Sequence, residues 1–597
     1  MSHRFLRTLA MLGLAVFVSI QASEAQPFLT VDLAAVSPDD GELRRIYGSD
    51  GQGDFGLPVA GGFDVDGDGF GDYAVGFMTV DSFGRDLSGE VDLVFGDGTL
   101  QGTIDTAVAD PRILRFAGAG ERETAGSEIW MDDVTGDGLG DLLICRQNHT
   151  PGAGRAGAGA LTIAVGGAAL RTQAATLTTV DLLSPPASLT LTTIVGAEAT
   201  DRFCIWARTG DVTGDGIADI VVGADQEDDF GESNRGAIYV IRGGAHLASG
   251  TTVDLQNFGA TTLAGHLAKV TPPLGASGFH LGGTCQIADL DGNGRAEVLA
   301  AATINRAGAT IDPAGAPGSA QATGGAPDGT LYIAWDDNFT GNPWPAGFNF
   351  DISASPGART IINGETVHVS FGEEILGGLD YDDDGHADLF VGDLIVDGTP
   401  GGTRPVSGYG HVFFEARDLK SLEFDLETPP AGLTITRIYG PSDGALGADT
   451  AAHGDFDGDG LGDLAFASPH HSPLGRDFAG GVHVLFGKAG GWPAEIDLLD
   501  GAMPSPSVLR ITEVQGAVGS FGPDTGDTLG YSAAAGDVDG DGLTDLVINE
   551  MVGNGAAPFA VDVGNLILIS GRALSSVLFL DGFESGDFSA WSSIATR

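Results

Sequence analysis

The feature that most constrains this chain is a nine-residue pattern that occurs seven times. Position 1 is Asp and position 6 is Gly in every copy, and position 9 is always acidic. Because the copies return at intervals of roughly 70–90 residues, we infer one structural unit repeated along the chain. The first copy, residues 64–72, reads Asp-Val-Asp-Gly-Asp-Gly-Phe-Gly-Asp, and the others begin at Asp133, Asp211, Asp289, Asp380, Asp455 and Asp537.

The spacing of the acidic side chains suits calcium, which takes about six to eight oxygen ligands. Carboxylates at positions 1, 3, 5 and 9 can converge on one ion only if the backbone curls tightly, and glycines at positions 4 and 6 permit this because they accept positive φ. The backbone carbonyl of position 7 supplies a further oxygen, so its side chain is free to vary. We therefore predict up to seven Ca²⁺ ions. The predicted ligands are Asp64, Asp66, Asp68, Phe70 and Asp72; Asp133, Thr135, Asp137, Leu139 and Asp141; Asp211, Thr213, Asp215, Ile217 and Asp219; Asp289, Asp291, Asn293, Arg295 and Glu297; Asp380, Asp382, Asp384, His386 and Asp388; Asp455, Asp457, Asp459, Leu461 and Asp463; and Asp537, Asp539, Asp541, Leu543 and Asp545.

Some copies depart from the pattern. Thr135 and Thr213 replace the acid at position 3, Asn293 replaces it at position 5, and Asp383 stands where position 4 is otherwise Gly. The alternative interpretation is a set of ordinary Asp-Gly turns. One copy alone would fit that interpretation, but seven copies in one register favour a metal site.

Charge excludes some classes of partner. The 597 residues include 82 acidic and 28 basic side chains, for a formal net charge of −54. Such a chain does not bind nucleic acid by neutralising phosphates, and it is repelled by anionic lipid. We therefore expect no nucleic-acid partner, and an acid excess of this size calls for cations to offset its self-repulsion.

The N-terminal end of the chain carries a targeting signal. Residues 1–25 combine Arg4 and Arg7 with a short apolar run and small residues before Gln26, which is typical of a cleaved signal peptide. An uncleaved anchor is the alternative. We expect a secreted, extracellular or cell-surface protein, or a periplasmic one, with no membrane span after cleavage. Residues 583–597 form a tail that serves either for sorting or as a frayed end.

Short strands fill the rest of each repeat. An apolar strand follows every loop, as at 73–76 and 220–223, and a second one begins at a glycine, as at 89–95 and 236–241. An apolar-Asp-Leu element comes later. About four strands per repeat and no helix predict an all-β, seven-bladed β-propeller of four-stranded antiparallel blades over residues 26–582. The apolar-Asp-Leu element has eight candidates, the first at 31–33 and the last at 580–581, so one end of the chain should close the ring.

These motifs resemble the FG-GAP repeat family, which forms the propeller of integrin α subunits and occurs in many secreted bacterial proteins. The resemblance rests on Phe-Gly pairs such as 55–56, the Asp-rich loops, and strands such as 219–224 and 236–241. Residues 549–550 depart from the family pattern. The resemblance implies calcium in each loop and a role in adhesion or ligand binding, but it does not specify a ligand. We expect a monomer that binds a protein or glycan at the cell surface.

An antiparallel meander places the loops between strands 2 and 3 on the face opposite the Asp-rich loops, where they serve either as recognition loops or as plain solvated connections. The alternatives are a propeller enzyme that cleaves extracellular polysaccharides or esters, and a structural envelope protein. No Gly-x-Ser-x-Gly or His-Glu-x-x-His motif is present, and His470 and His471 are weak catalytic candidates. Trp335 and Trp344 are interpreted as packing residues rather than sugar platforms.

The cysteines are too few for a disulfide framework. Cys145, Cys204 and Cys285 lie in predicted strands as small buried side chains, and a bridge from Cys204 to either of the others remains open.

Overall fold

The structure is a computed structural model. It describes residues 29–575 except 37–41, 50–54, 153, 230, 274–277, 303–328, 346, 353–356, 365–369, 395–403, 443, 449, 500–501, 521–525 and 557–561. The predicted signal peptide and C-terminal tail lie outside the described residues.

The described residues contain many short strands and a few short helices, α1 (Ala168–Ala174) and α2 (Gly571–Ser575), where the sequence predicted no helix. Short 3-10 helices lie at Ala245–Ala248, Leu255–Ala260, Asp336–Phe339, Ala416–Leu419 and Pro473–Gly475. The strands, in chain order, are β1 Leu29–Asp32, β2 Glu42–Tyr47, β3 Val59–Phe63, β4 Asp72–Phe77, β5 Glu90–Val94, β6 Leu100–Asp105, β7 Ile113–Ala117, β8 Ala125–Asp132, β9 Asp141–Arg146, β10 Ala160–Ala164, β11 Val180–Asp181, β12 Leu191–Val195, β13 Ala207–Gly210, β14 Asp219–Ala224, β15 Ala237–Ile241, β16 Thr252–Asp254, β17 Leu267–Thr271, β18 Leu281–Ala288, β19 Glu297–Ala302, β20 Thr330–Ala334, β21 Phe348–Asp351, β22 Arg359–Asn363, β23 Ile375–Leu379, β24 Asp388–Asp393, β25 Tyr409–Phe413, β26 Glu423–Asp425, β27 Ile435–Tyr439, β28 Ala451–Gly454, β29 Asp463–Ser468, β30 Gly481–Leu485, β31 Glu495–Asp497, β32 Ile511–Gln515, β33 Leu529–Gly536, β34 Asp545–Glu550 and β35 Asn565–Ile569.

The strands form seven sheets, and the first strand of each sheet contacts the first strands of both neighbouring sheets around a closed ring. The predicted seven-bladed propeller is therefore confirmed. From the centre outwards, the blades are β3-β4-β5-β7-β11, β8-β9-β10-β12-β16, β13-β14-β15-β17-β21, β18-β19-β20-β22-β26, β23-β24-β25-β27-β31, β28-β29-β30-β32-β1 and β33-β34-β35-β2-β6, numbered blades 1 to 7.

Each blade has five strands where the sequence predicted four. Four strands run antiparallel, and the outermost pairs in parallel with the fourth, as β11 does with β7. This fifth strand is the apolar-Asp-Leu element, and it belongs to the preceding blade: β11 follows the third strand of blade 2 but pairs with blade 1. The chain thus links adjacent blades by hydrogen bonds as well as by packing.

The N-terminal end closes the ring, which sequence reasoning left open. Strand β1 is the parallel fifth strand of blade 6, and β2 is the antiparallel fourth strand of blade 7, beside β35. The candidate element at 580–581 lies outside the described residues.

In four blades of the described structure, the Asp of the fifth strand is held by an arginine from the loop between the second and third strands of the same blade. Arg85 donates two hydrogen bonds to Asp181, at 2.8 and 3.1 Å. Because both oxygens of a carboxylate match the guanidinium fork, the pair ties the edge strand to the loop. The other such pairs are Arg155–Asp254, Arg404–Asp497 and Arg476–Asp32.

The glycine before each third strand marks a close approach of two blades. A Cβ on Gly236, whose φ is +76°, would lie 2.2 Å from the carbonyl oxygen of Leu281 in blade 4. Only a residue without a side chain fits there. The apolar core accordingly lies between blades, as in the cluster that joins Leu161 and Ile163 of blade 2 to Ile220 and Val222 of blade 3.

Cys145 and Cys204 form a disulfide, with Cα atoms 5.2 Å apart, and Cys285 is free and buried. The bridge joins strand β9 of blade 2 to the segment that enters blade 3. It therefore adds a covalent link to the packing between these two blades.

Candidate metal centres and the opposite face

The nine-residue loops, numbered loops 1 to 7, all connect the first and second strands of a blade. They lie together on one face of the ring, which we call the Asp-loop face. The connections between second and third strands, such as residues 78–89 and 469–480, lie on the other side, which we call the opposite face. The predicted separation of these two sets of loops follows from the strand order.

The first acid of each loop organises its backbone. In loop 1, Asp64 Oδ1 accepts hydrogen bonds from the N–H groups of Gly67 (2.7 Å) and Asp68 (3.2 Å), and Oδ2 accepts one from Gly69 (2.9 Å). Asp133, Asp211, Asp289, Asp455 and Asp537 make the same bonds in their loops. Local sequence is therefore enough to set this curl.

The last acid is fully buried and ties the loop to the blade. Asp72 accepts hydrogen bonds from Val65 N inside the loop and from Gly96 N just beyond the third strand, both at 2.8 Å. Burial raises the pKa of Asp72 to about 7. Burial also raises the pKa of the last acid in each of the other loops. That pKa is about 6 at Asp141, about 7 at Asp219, Asp388 and Asp545, and about 8 at Glu297 and Asp463.

In five loops the acids at positions 1, 3 and 9 bring oxygens within 4.8 Å of one another, and each such cluster could hold a metal ion. The five clusters are Asp64, Asp66 and Asp72; Asp289, Asp291 and Glu297; Asp380, Asp382 and Asp388; Asp455, Asp457 and Asp463; and Asp537, Asp539 and Asp545. Loops 2 and 3 have Thr135 and Thr213 at position 3 and so hold fewer acids. The side chains of position 5 are not part of these clusters.

The chemistry of the clusters fits a hard cation. Asp291 Oδ1 and Asp382 Oδ1 are buried and have no hydrogen-bond partner among the described residues. A buried carboxylate oxygen without a donor is costly, and an oxygen-seeking cation would satisfy it. Burial, with a smaller contribution from the neighbouring acids Asp384 and Asp380, raises the pKa of Asp382 to about 6.

Sequence analysis did not predict the basic side chains that lie beside four of the loops. Arg171 lies 3.3 Å from Asp66, Lys420 lies 3.1 Å from Asp291, Arg572 lies 2.8 Å from Asp541, and Arg510 contacts Asp457. Lys420 is 129 residues from Asp291 along the chain, so no local pattern could reveal the pairing. These cations offset part of the acid repulsion at their loops.

Adjacent loops also contact each other. The N–H of Gly140 in loop 2 donates to the carbonyl of Asp64 in loop 1 at 2.9 Å, and Gly462 of loop 6 donates to Asp380 of loop 5 at 2.7 Å. The varying residue at position 7 packs against the preceding loop, as Ile217 does near Gly136. The side chain of position 7 therefore serves loop packing, which its variation alone did not indicate.

The opposite face exposes large apolar side chains. Phe83 is 60% exposed and Leu474 is 73% exposed, and both precede a Gly-Arg pair whose arginine holds a fifth strand. Leu183, which follows strand β11, is 66% exposed on the same face.

The histidines and tryptophans that the sequence offered as catalytic and sugar-stacking candidates make contacts within the protein. His470 Nε2 lies 2.5 Å from the hydroxyl of Tyr531, and His471 Nδ1 lies 3.1 Å from that of Ser442. Trp335 and Trp344 are buried, as the packing interpretation predicted. Within the described residues, no helix has the length and apolar character needed to cross a membrane.

Three blades match a known repeat. The family model of the FG-GAP repeat matches residues 206–241, 448–485 and 529–563, so the chain carries FG-GAP repeats in blades 3, 6 and 7. The resemblance drawn from the motifs is confirmed there. Comparison with curated proteins gives no significant match.

Comparison with solved structures finds partial similarity to several proteins, three of which are described next. An exotype rhamnogalacturonan lyase, YesX, is 12% identical with a TM-score of 0.35, covering 89% of this chain and 76% of its own. The Vibrio cholerae biofilm matrix protein Bap1 is 11% identical with a TM-score of 0.28, covering 86% and 76%. The NanB sialidase of Streptococcus pneumoniae is 10% identical with a TM-score of 0.31, covering 93% and 72%. Similarity at this level does not extend to function.

Proposed function

We propose that this protein is an exported, calcium-stabilised β-propeller that binds a protein or glycan through its opposite face. The observation that carries the calcium part is the convergence of three acids at the same topological position in five blades. Repulsion among those acids destabilises an empty loop, so a divalent cation would stabilise the folded ring.

The proposed ligands are the side chains of positions 1, 3, 5 and 9 and the backbone carbonyl of position 7 in each loop. In loops 2 and 3 the hydroxyls of Thr135 and Thr213 would replace a carboxylate. A site with fewer acids binds calcium more weakly, so these two loops, together with loop 4, where Asn293 replaces the acid at position 5, should fill last.

Export is supported by the disulfide between Cys145 and Cys204, because such bridges persist in oxidising compartments. Residues 1–25 as a cleaved signal, and residues 583–597 as a sorting or frayed tail, are part of the same proposal. The exposed side chains of Phe83, Leu183 and Leu474 support a binding role for the opposite face.

Calcium titration with thermal unfolding tests the proposal. At about 100 times the dissociation constant, each filled site contributes about 2.7 kcal/mol, so chelation should lower the melting temperature clearly. Asp382→Asn removes a central ligand of loop 5 and should lower the calcium stoichiometry by one. Asp418→Asn, an exposed acid outside the loops, is the matched control. An unchanged melting temperature in chelator would refute the calcium part.

The binding face needs a separate test. A screen of surface proteins and glycans with the calcium-loaded protein should give a ligand whose binding weakens in a Phe83→Ala, Leu474→Ala variant. A ligand that is indifferent to this variant but sensitive to changes on the Asp-loop face would show that the wrong face had been assigned.

A further inference from the structure

A cavity of about 600 Å³ lies at the centre of the ring, lined by the first strands of the seven blades. This volume falls within the range of small-molecule sites, which is about 300–1,000 Å³. Met78, Gln147 and Leu394 are among its lining residues, and each directly follows the second strand of its blade. The cavity therefore reaches the opposite face. It is separate from the Asp-rich loops and from the exposed apolar residues considered above.

The wall formed by blades 2 and 3 is rigidly built. The guanidinium of Arg208 lies 4.3 Å from the ring centre of Trp130 and 4.5 Å from that of Trp206. Its Nη1 donates to Glu128 Oε1 at 2.5 Å and to the carbonyl of Ala207 at 2.7 Å. The indole N–H of Trp130 donates to Thr209 Oγ1 at 2.9 Å. Two aromatic rings and a planar cation are thus held in place before any ligand arrives.

The polar groups that line the cavity include both hydrogen-bond donors and hydrogen-bond acceptors. Within the part of the chain that the structure describes, Nε and Nη2 of Arg208 have no protein acceptor, and they are donors only. The buried carboxylates of Glu373 and Glu374 also line the cavity, and they are acceptors. Gln286 offers an amide with both roles. Flat aromatic faces and the apolar side chains of Ile205 and Leu376 fill the space between.

We propose that this central cavity binds one or two units of a neutral saccharide. Sugar hydroxyls donate and accept hydrogen bonds, so they match a lining that mixes carboxylates, amides and a guanidinium. The C–H face of a pyranose ring is weakly positive, and it packs against the negative face of an indole such as Trp206.

Other classes of small ligand fit less well. An anionic ligand would meet three glutamates and a single arginine among the described lining residues, in a protein of formal charge −54. An apolar ligand would leave the buried charges of the wall desolvated and without new partners, which costs about 1–3 kcal/mol per group. A simple amine would offer donors to the glutamates but no acceptor to the donors of Arg208.

The test is calorimetric titration of the calcium-loaded full chain with neutral mono- and disaccharides, namely glucose, galactose, mannose, N-acetylglucosamine, cellobiose and lactose. Galacturonate and spermidine serve as the anionic and cationic probes. We expect at least one neutral sugar to bind with one-to-one stoichiometry, and neither charged probe to bind more tightly. Absence of binding by all the neutral sugars at 10 mM, about ten times a weak dissociation constant, would overturn the proposal, as would tighter binding of either charged probe.

Variants locate the site. Trp206→Phe keeps an aromatic core residue and should weaken sugar binding about three- to tenfold, and Arg208→Lys about tenfold. Trp492→Phe, the same exchange at a buried tryptophan outside the cavity, is the matched control and should leave affinity unchanged. If Trp206→Phe melts at the wild-type temperature yet binds normally, the sugar does not bind in the cavity. Loss of sugar binding only in Phe83→Ala would assign it to the opposite-face loops and likewise overturn the proposal.

Discussion

Arg476 holds the strand that closes the ring, so its removal should open the ring locally. Its Nη1 donates to Asp32 Oδ1 at 2.8 Å and to the carbonyl of Ala517 at 3.2 Å, and its Nη2 lies 3.3 Å from Gln515 Oε1. The side chains of Arg476 and Asp32 are 19% and 29% exposed, which reduces the value of the pair below that of a buried one. We therefore expect Arg476→Ala to cost about 1–2 kcal/mol.

The loss of stability should be confined to β1 and should not destabilise the whole protein. β1 is an outer strand of four residues, and among the described strands it pairs only with β32, so it can detach while the blades stay folded. A loss of about 1–2 kcal/mol multiplies the open population roughly five- to thirtyfold. Hydrogen–deuterium exchange read by mass spectrometry on the β1 peptide should therefore accelerate by that factor, provided that closing is faster than exchange.

A reciprocal control separates local from global effects. Arg85→Ala breaks the corresponding pair with Asp181, so it should accelerate exchange in β11 and leave β1 unchanged. Asp32→Asn should add little to Arg476→Ala, because the two changes remove one interaction. If Arg476→Ala leaves β1 protected, or accelerates β1 and β11 equally, then the pair does not hold the closing strand.

Three further predictions concern stability. Replacing Cys145 and Cys204 by Ser removes a bridge between residues separated by 59 positions, and the chain-entropy estimate sets an upper value of about 4 kcal/mol; urea unfolding measures it, and reductant should then have no effect on the variant. Gly236→Ala should cost several kcal/mol more than Gly216→Ala, since both have positive φ but only Gly236 has backbone of the next blade within reach of a Cβ; equal melting temperatures would contradict this. Burial lowers the pKa of His483 to about 4, well below its ordinary value of 6.5. The unfolded chain therefore binds the proton more readily, so the stability that the neutral His483 contributes is full above pH 6.5 and falls by up to about 3 kcal/mol towards pH 4. His483→Gln should remove much of that fall, and an identical pH profile would argue against it.

Much of the scaffold could be predicted because its signals are local and repeated. The curl of each loop depends on Asp64 and its counterparts bonding to N–H groups three to five residues later, and such contacts are encoded within one short segment. The glycines before the third strands could also be identified in the sequence. The reason that glycine is needed there, the close approach of the next blade as at Leu281, could not be predicted.

The assignments that failed or stayed open depend on distant partners. The sequence pattern predicted the apolar-Asp-Leu element to be a strand of its own repeat. In the structure, β11 pairs with the preceding blade, where its Asp181 carboxylate accepts hydrogen bonds from Arg85. Alternation of apolar residues identifies a strand and says nothing about its neighbour.

By itself, the sequence determined the number of blades, the acid-lined turns and the face on which those turns lie, because each follows from short-range patterns repeated in order. Only the tertiary structure decided that the N-terminal end closes the ring, that Lys420 reaches Asp291, and that Trp130 of blade 2 stacks on Arg208 of blade 3. These contacts join residues far apart in the chain, and closing a ring is what brings them within contact distance.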